Sequence, residues 1–185
     1  MTPLPNYTVA DVETTFQKYE DGSSDNRPYN PLNKLVSVGL KPKDKDCDYY
    51  MINHVHMDDD FRKGGWTRSM INDGLKNTKL LVGHNIKFDL AWLRECGYVY
   101  EGEIWDTMLV EKLLSGNTLY MKELGLDMCC ARYGIEGKID KVREYWDKGY
   151  STDDIPWDVL KEYGIQDCLA TEELFINQWR RVYGT

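Results

Sequence analysis

The chain has no apolar run approaching the length of a membrane span. Its first six residues, MTPLPN, carry neither the charged nor the apolar region of a secretion signal. A cytosolic (cytoplasmic) protein with no membrane partner is therefore expected. Cysteine is sparse and odd in number: Cys47, Cys96, Cys129, Cys130 and Cys168. No C-x-x-C pair occurs and two cysteines are adjacent, so neither a disulfide framework nor a zinc site is suggested. Positive charge is in deficit, with 23 Lys and Arg against 31 Asp and Glu and a net charge of −8. That argues against a protein that wraps duplex nucleic acid, which normally shows a basic face. It leaves room for an enzyme that holds a few nucleotides through metal ions. The G-x-G-x-x-G, P-loop and G-x-S-x-G motifs are missing, as are internal repeats, coiled coil and low-complexity segments.

What is present suits one globular domain over residues 1–185, with 42% hydrophobic and 12% aromatic residues, enough to bury a core. Residues 6–12 read as a buried strand, 17–33 as a loop, and 35–40 and 48–53 as a strand hairpin around a charged turn at 41–46. His54 and His56 follow at strand spacing. An H-x-H pair can bind metal, but loop histidines without further ligands are more often surface residues. Basic residues gather at Lys41, Lys43 and Lys45, at Arg62, Lys63 and Arg68, and at Lys138, Lys141 and Arg143. Solvated surface charge is the expected account of each. Helical character spans 66–76, and the apolar run 80–83 is a buried strand that leads straight into a helix over 84–93. A short strand at 104–105 precedes Asp106, which reads as the N-cap of a helix through 114. Further helices are predicted over 120–133, ended by Gly134, and over 156–182, with Pro156 in its first turn. Between them, 135–154 reads as a mixed excursion.

Acids mark three of these elements. Asp11 and Glu13 lie at i and i+2 on the first strand, so they point to one side while Val12 points to the other. Paired acids repel and are costly to desolvate, and a divalent cation compensates both. Taken alone, D-x-E more often simply begins a solvated loop. Asn85 and Asp89, at i and i+4, are expected on one side of a helix's first turn, at the strand-to-helix junction where α/β folds place ligands. Tyr163 and Asp167 repeat that spacing on the last helix. Gly164 beside them lowers helix propensity and suggests a close backbone approach or a bend.

Four motifs together resemble the DEDD superfamily of 3′–5′ exonucleases, in the subgroup whose third motif carries tyrosine (DEDDy). They are ADVETT at 10–15, GHNIKFD at 83–89, WDTML at 105–109 and YGIQD at 163–167. The resemblance, which includes the proofreading domains of family-A DNA polymerases and ribonuclease D, covers essentially the whole chain. The 17–33 loop and the 135–154 segment depart from typical members. The resemblance implies an α/β, RNase H-like fold, a mixed five-stranded sheet with helices on both faces. It implies two divalent ions, Mg²⁺ or Mn²⁺, held by Asp11, Glu13, Asp89 and Asp167, with the Tyr163 hydroxyl orienting the attacking water. Residues matching Thr14, His84 and Asn85 would touch the terminal nucleotide, and Phe16 could stack on a base or simply pack. The implied activity is release of nucleoside monophosphates from single-stranded or frayed DNA 3′ ends, with a DNA polymerase as the suggested partner. An exoribonuclease of the ribonuclease D type, and a catalytically silent strand- or polymerase-binding domain, stay open as alternatives.

Overall fold

A computed structural model describes residues 2–55, 57, 65–135 and 141–184. His56, Arg62, Lys63 and Lys138 lie outside the described residues. The strands among the described residues are β1 (Tyr7–Thr14), β2 (Gln17–Lys18), β3 (Ser24–Asp25), β4 (Leu35–Pro42), β5 (Asp48–Met51), β6 (Leu80–Gly83) and β7 (Glu103–Asp106). The helices among the described residues are α1 (Trp66–Lys76), α2 (Lys87–Glu95), α3 (Thr107–Leu114), α4 (Leu126–Arg132), α5 (Lys141–Asp147) and α6 (Trp157–Tyr183). Five strands make one mixed sheet in the order β5-β4-β1-β6-β7, and β2 with β3 makes a small separate hairpin. β1 runs antiparallel to β4 and parallel to β6.

The period-two pattern of β1 sorts its side chains onto two faces. Ala10 and Val12 join Leu81 and residues of α1 and α2 (Ile71, Leu75, Trp92, Leu93) in one buried cluster. Tyr7 and Val9 join Val82, Cys168 and Phe175 of α6 in another. Helices therefore cover both faces, and the odd-numbered side of β1, which carries Asp11 and Glu13, is the side facing α6. No helix among the described residues is long and apolar enough to cross a membrane.

Several expectations need correction. β1 continues to Thr14, so the acids lie within the strand and do not end it. The 17–33 loop contains the β2–β3 hairpin. α2 begins only at Lys87, because Asn85 has φ +59°, a left-handed conformation that Asn tolerates and a helix cannot include. Asn85 and Asp89 therefore do not share a helical face. The expected 120–133 helix is a 3₁₀ turn (Met121–Glu123) followed by α4, divided where Gly125 turns extended with ψ 151°. His54 is buried, its Nε2 2.7 Å from the Ile155 carbonyl. Lys41 is also buried, paired with Glu172 at 3.0 Å, and is not a solvated surface charge.

Candidate active site

β6 pairs with β1 only from Tyr7 to Val9, so the next part of β1 loses its neighbour on that side. A buried backbone N–H must find another acceptor. The chain leaves β6 through a tight turn at His84 and Asn85 and enters α2, which returns a carboxylate to the gap. The Val12 N–H donates to Asp89 Oδ1 at 3.0 Å. Asp89 is 5% exposed. Burial, then repulsion from Asp11, pushes its carboxyl well above the usual carboxylate range.

From the opposite face, α6 brings Asp167 to the strand. Oxygens of Asp11, Glu13 and Asp167 lie within 4.8 Å of one another, with Glu13 and Asp167 buried and Asp11 half-buried. The Oδ2 atom of Asp11 is sealed from solvent. Three carboxylates crowded in a buried pocket, with a fourth against the same strand, form a hard, oxygen-only donor set that suits a small divalent cation.

A tyrosine that the motifs do not mention sets the distance between α6 and the sheet. Tyr49, opposite Gly39 on the neighbouring strand, shares a 2.8 Å hydrogen bond with the Ser37 hydroxyl. A β-carbon on Gly164 would collide with the Tyr49 hydroxyl and ring, so the glycine admits the phenol beneath the helix. Burial, then the charges of Glu13 and Asp11, raises the Tyr49 phenol well above its ordinary range. The sequence signal was the glycine; its partner lies more than a hundred residues away.

The other expected residues surround this pocket. Tyr163 stands one turn before Asp167 on α6, half-buried, its ring edge-on to Trp146 at 6.1 Å. Phe16 also meets Trp146 edge-on, at 6.3 Å, and carries Lys18 Nζ 5.5 Å above its ring. Trp146, unmarked by any motif, thus bridges two expected site residues. Thr14 is buried at the end of β1. His84 commits both ring nitrogens to the protein: Nδ1 lies 2.9 Å from the Thr107 hydroxyl and Nε2 2.7 Å from the Leu124 carbonyl. A carbonyl only accepts, so Nε2 bears a proton. Burial lowers the pKa of the ring, favouring its neutral form. Asp106 Oδ1 accepts from the N–H groups of Met108 and Leu109 at the start of α3, and also from that of Asn85 at 3.1 Å. It is an N-cap, as expected, that also ties down the turn leading to Asp89.

Comparisons with known proteins bear on this arrangement. A family model described as 3′–5′ exonuclease matches residues 23–182. The DNA polymerase of Bacillus phage SP01 is 33% identical over 172 residues, covering 88% of this chain. The chain spans 17% of that polymerase's length. Brucella melitensis NrnC with bound Mg²⁺ superposes with a TM-score of 0.62 at 18% identity, over 95% of this chain and 73% of that one. NrnC bound to pGG gives 0.63 at 20% identity, over 95% and 72%. The family B DNA polymerase of the hyperthermophilic archaeon Pyrobaculum calidifontis gives 0.61 at 20% identity, over 96% of this chain and 25% of that one. At these identities the structural likeness establishes the fold.

Proposed function

Given that the chain belongs to the 3′–5′ exonuclease family of the DEDD superfamily, we propose that it hydrolyses single-stranded or frayed DNA 3′ ends to nucleoside monophosphates. The observation that carries this reading is the convergence of Asp11, Glu13 and Asp167 oxygens within 4.8 Å, with Asp89 against the same strand. The family match begins after β1. The geometry therefore supports the role of Asp11 and Glu13 independently of the match.

In this proposal Asp11, Glu13 and Asp167 would hold one divalent ion, and Asp11 with Asp89 another, Mg²⁺ or Mn²⁺. Bound there, such ions would supply charge stabilisation for a phosphoryl displacement and a water of lowered pKa. The protein's own part is positional. Tyr163, in the tyrosine position of the DEDDy subgroup, directs its hydroxyl to the attacking water together with Glu13. Thr14 and Asn85 receive the terminal nucleotide, Phe16 stacks on a base, and His84 borders that site while bracing Thr107 and Leu124. Repulsion among the acids also disfavours a phosphate until the cations are in place. DNA is favoured over RNA because the relative at 33% identity is a DNA polymerase. Proofreading beside a polymerase is the corresponding role.

The test is digestion of end-labelled DNA and RNA strands of one sequence, with Mg²⁺ and with EDTA. Stepwise loss of 3′ nucleotides from DNA, abolished by EDTA, is expected. Faster digestion of RNA would move the substrate to the ribonuclease class. No digestion of either strand would leave only a binding domain.

A further inference from the structure

We propose that the groove between the 26–33 loop and α2 holds single-stranded nucleic acid upstream of its 3′ end; this rests on the exonuclease reading of the neighbouring site. One stripe of α2, Lys87, Leu90, Ala91 and Arg94 at i, i+3, i+4 and i+7, faces Tyr29 across a cavity of about 320 Å³, with Glu95 at its far end. Lys87 and Arg94 are exposed, and among the described residues neither enters an ion pair. Lys87 stands two residues before Asp89 but on the outer side of the helix, so the groove opens at the end of α2 nearest the candidate active site. Arg94 lies about 10 Å further along the helix axis.

The opposite wall is a built loop. Asp25 accepts from the backbone N–H and Nε of Arg27 at 2.9 Å each, and from Asn30 Nδ2 at 3.2 Å. The Asn33 amide bridges the carbonyls of Asp25 and Arg27 at 3.0 and 3.1 Å. Trp92 Nε1–H then fastens the loop to α2 through the Asn26 carbonyl at 3.1 Å. Tyr29, on this pinned loop, is 74% exposed. A ring held out to solvent on a fixed support offers a stacking surface whose ordering cost is already met. Cations that track a backbone, beside an aromatic face, are how proteins hold single strands without reading sequence. On a chain with net charge −8, such a local exception decides where a strand can lie. The 17–33 loop, which departs from the family pattern, thereby gains a use.

The test measures binding of a fluorescent single-stranded oligonucleotide of about 20 residues in EDTA, against a trinucleotide of the same 3′ sequence. The variants are Lys87→Gln with Arg94→Gln, and Tyr29→Ala, each shown by thermal melting to be folded. The long strand is expected to bind about tenfold more weakly to each. The dependence of log Kd on log salt should shallow by about 1.4 in the double variant only. The trinucleotide, which occupies only the mouth of the groove, should lose far less affinity than the long strand in the double variant and none with Tyr29→Ala. Unchanged affinity and salt slope for the long strand, or equal loss for the trinucleotide, overturns the proposal. Hydrolysis of the trinucleotide by wild type with Mg²⁺ tests the exonuclease reading separately. If nothing is cut while the groove variants lose strand affinity as stated, the groove stands and that reading falls.

Discussion

Gly164 governs how near α6 comes to the sheet, and therefore whether Asp167 reaches Asp11 and Glu13. In an ordinary helix interior, alanine in place of glycine gains about 1 kcal/mol. Here the added methyl lands on Tyr49, and overpacking of that kind costs about 1–3 kcal/mol. Gly164→Ala is thus expected to lower the melting temperature and the turnover rate. In a Tyr49→Ala background the same change should become stabilising, and paired thermal melts check that reversal of sign. A Gly164→Ala protein that melts above wild type would show that the phenol yields freely. The neighbouring Tyr163 carries a different expectation. Its hydroxyl is proposed to orient water and not to hold metal. Tyr163→Phe should keep the rise in melting temperature with Mn²⁺ while losing up to roughly 10²–10⁴-fold in turnover. Wild-type turnover would reduce Tyr163 to the packing residue that its contact with Trp146 also permits. The glycine's need for space was legible in the sequence. Tyr49 was not, because a contact between β5 and α6 leaves no local pattern in either.

At the scale of elements, the site depends on two junctions, β6 into α2 and β7 into α3. Both were legible from the apolar run at 80–83 and from Asp106 before a helix. Hydrophobic periodicity could not show that Asn85 bends left-handed, because the side chains after it still fit a helical pattern. Nor could it show that residues 120–133 divide at Gly125, since glycine is tolerated inside helices as well as between them. Asp106 joins the two junctions by accepting N–H groups from both. Losing the cap costs about 1 kcal/mol, and leaving the Asn85 N–H without its acceptor adds about 1–3 kcal/mol. Asp106→Ala should therefore lose about 2–4 kcal/mol in denaturant melts. It should also lose activity, as the turn before Asp89 loosens. Asp106→Asn keeps an oxygen in place and should recover most of both. Equal loss in the two variants would mean that the charge matters, and not the geometry.

Across the whole molecule, folding forces Asp11, Glu13, Asp89 and Asp167 together from three distant parts of a chain already at −8. The motifs named these four acids. That three of them meet from one side of β1, while Asp89 caps its far edge, is a property of the sheet order. The cost of the arrangement should be visible when no cation is present. Asp89 has its pKa raised in the folded protein, by burial and then by Asp11, relative to about 3.9 in the unfolded chain. Between those two values the folded state binds more protons than the unfolded state. Unfolding free energy then falls with rising pH. The contribution is fully present below the unfolded value and is lost as pH rises through the folded one. If divalent cations occupy the folded pocket as proposed, Mn²⁺ should raise the melting temperature progressively with concentration. Asp11→Asn removes one of the opposing charges at nearly constant shape. In EDTA at neutral pH it should melt above wild type, yet gain far less from Mn²⁺. Parallel melts of both proteins, in EDTA over a pH series and then in a Mn²⁺ series, check both halves. An Asp11→Asn protein that melts lower in EDTA and responds to Mn²⁺ as wild type does would remove Asp11 from the cation site, and with it the two-metal reading.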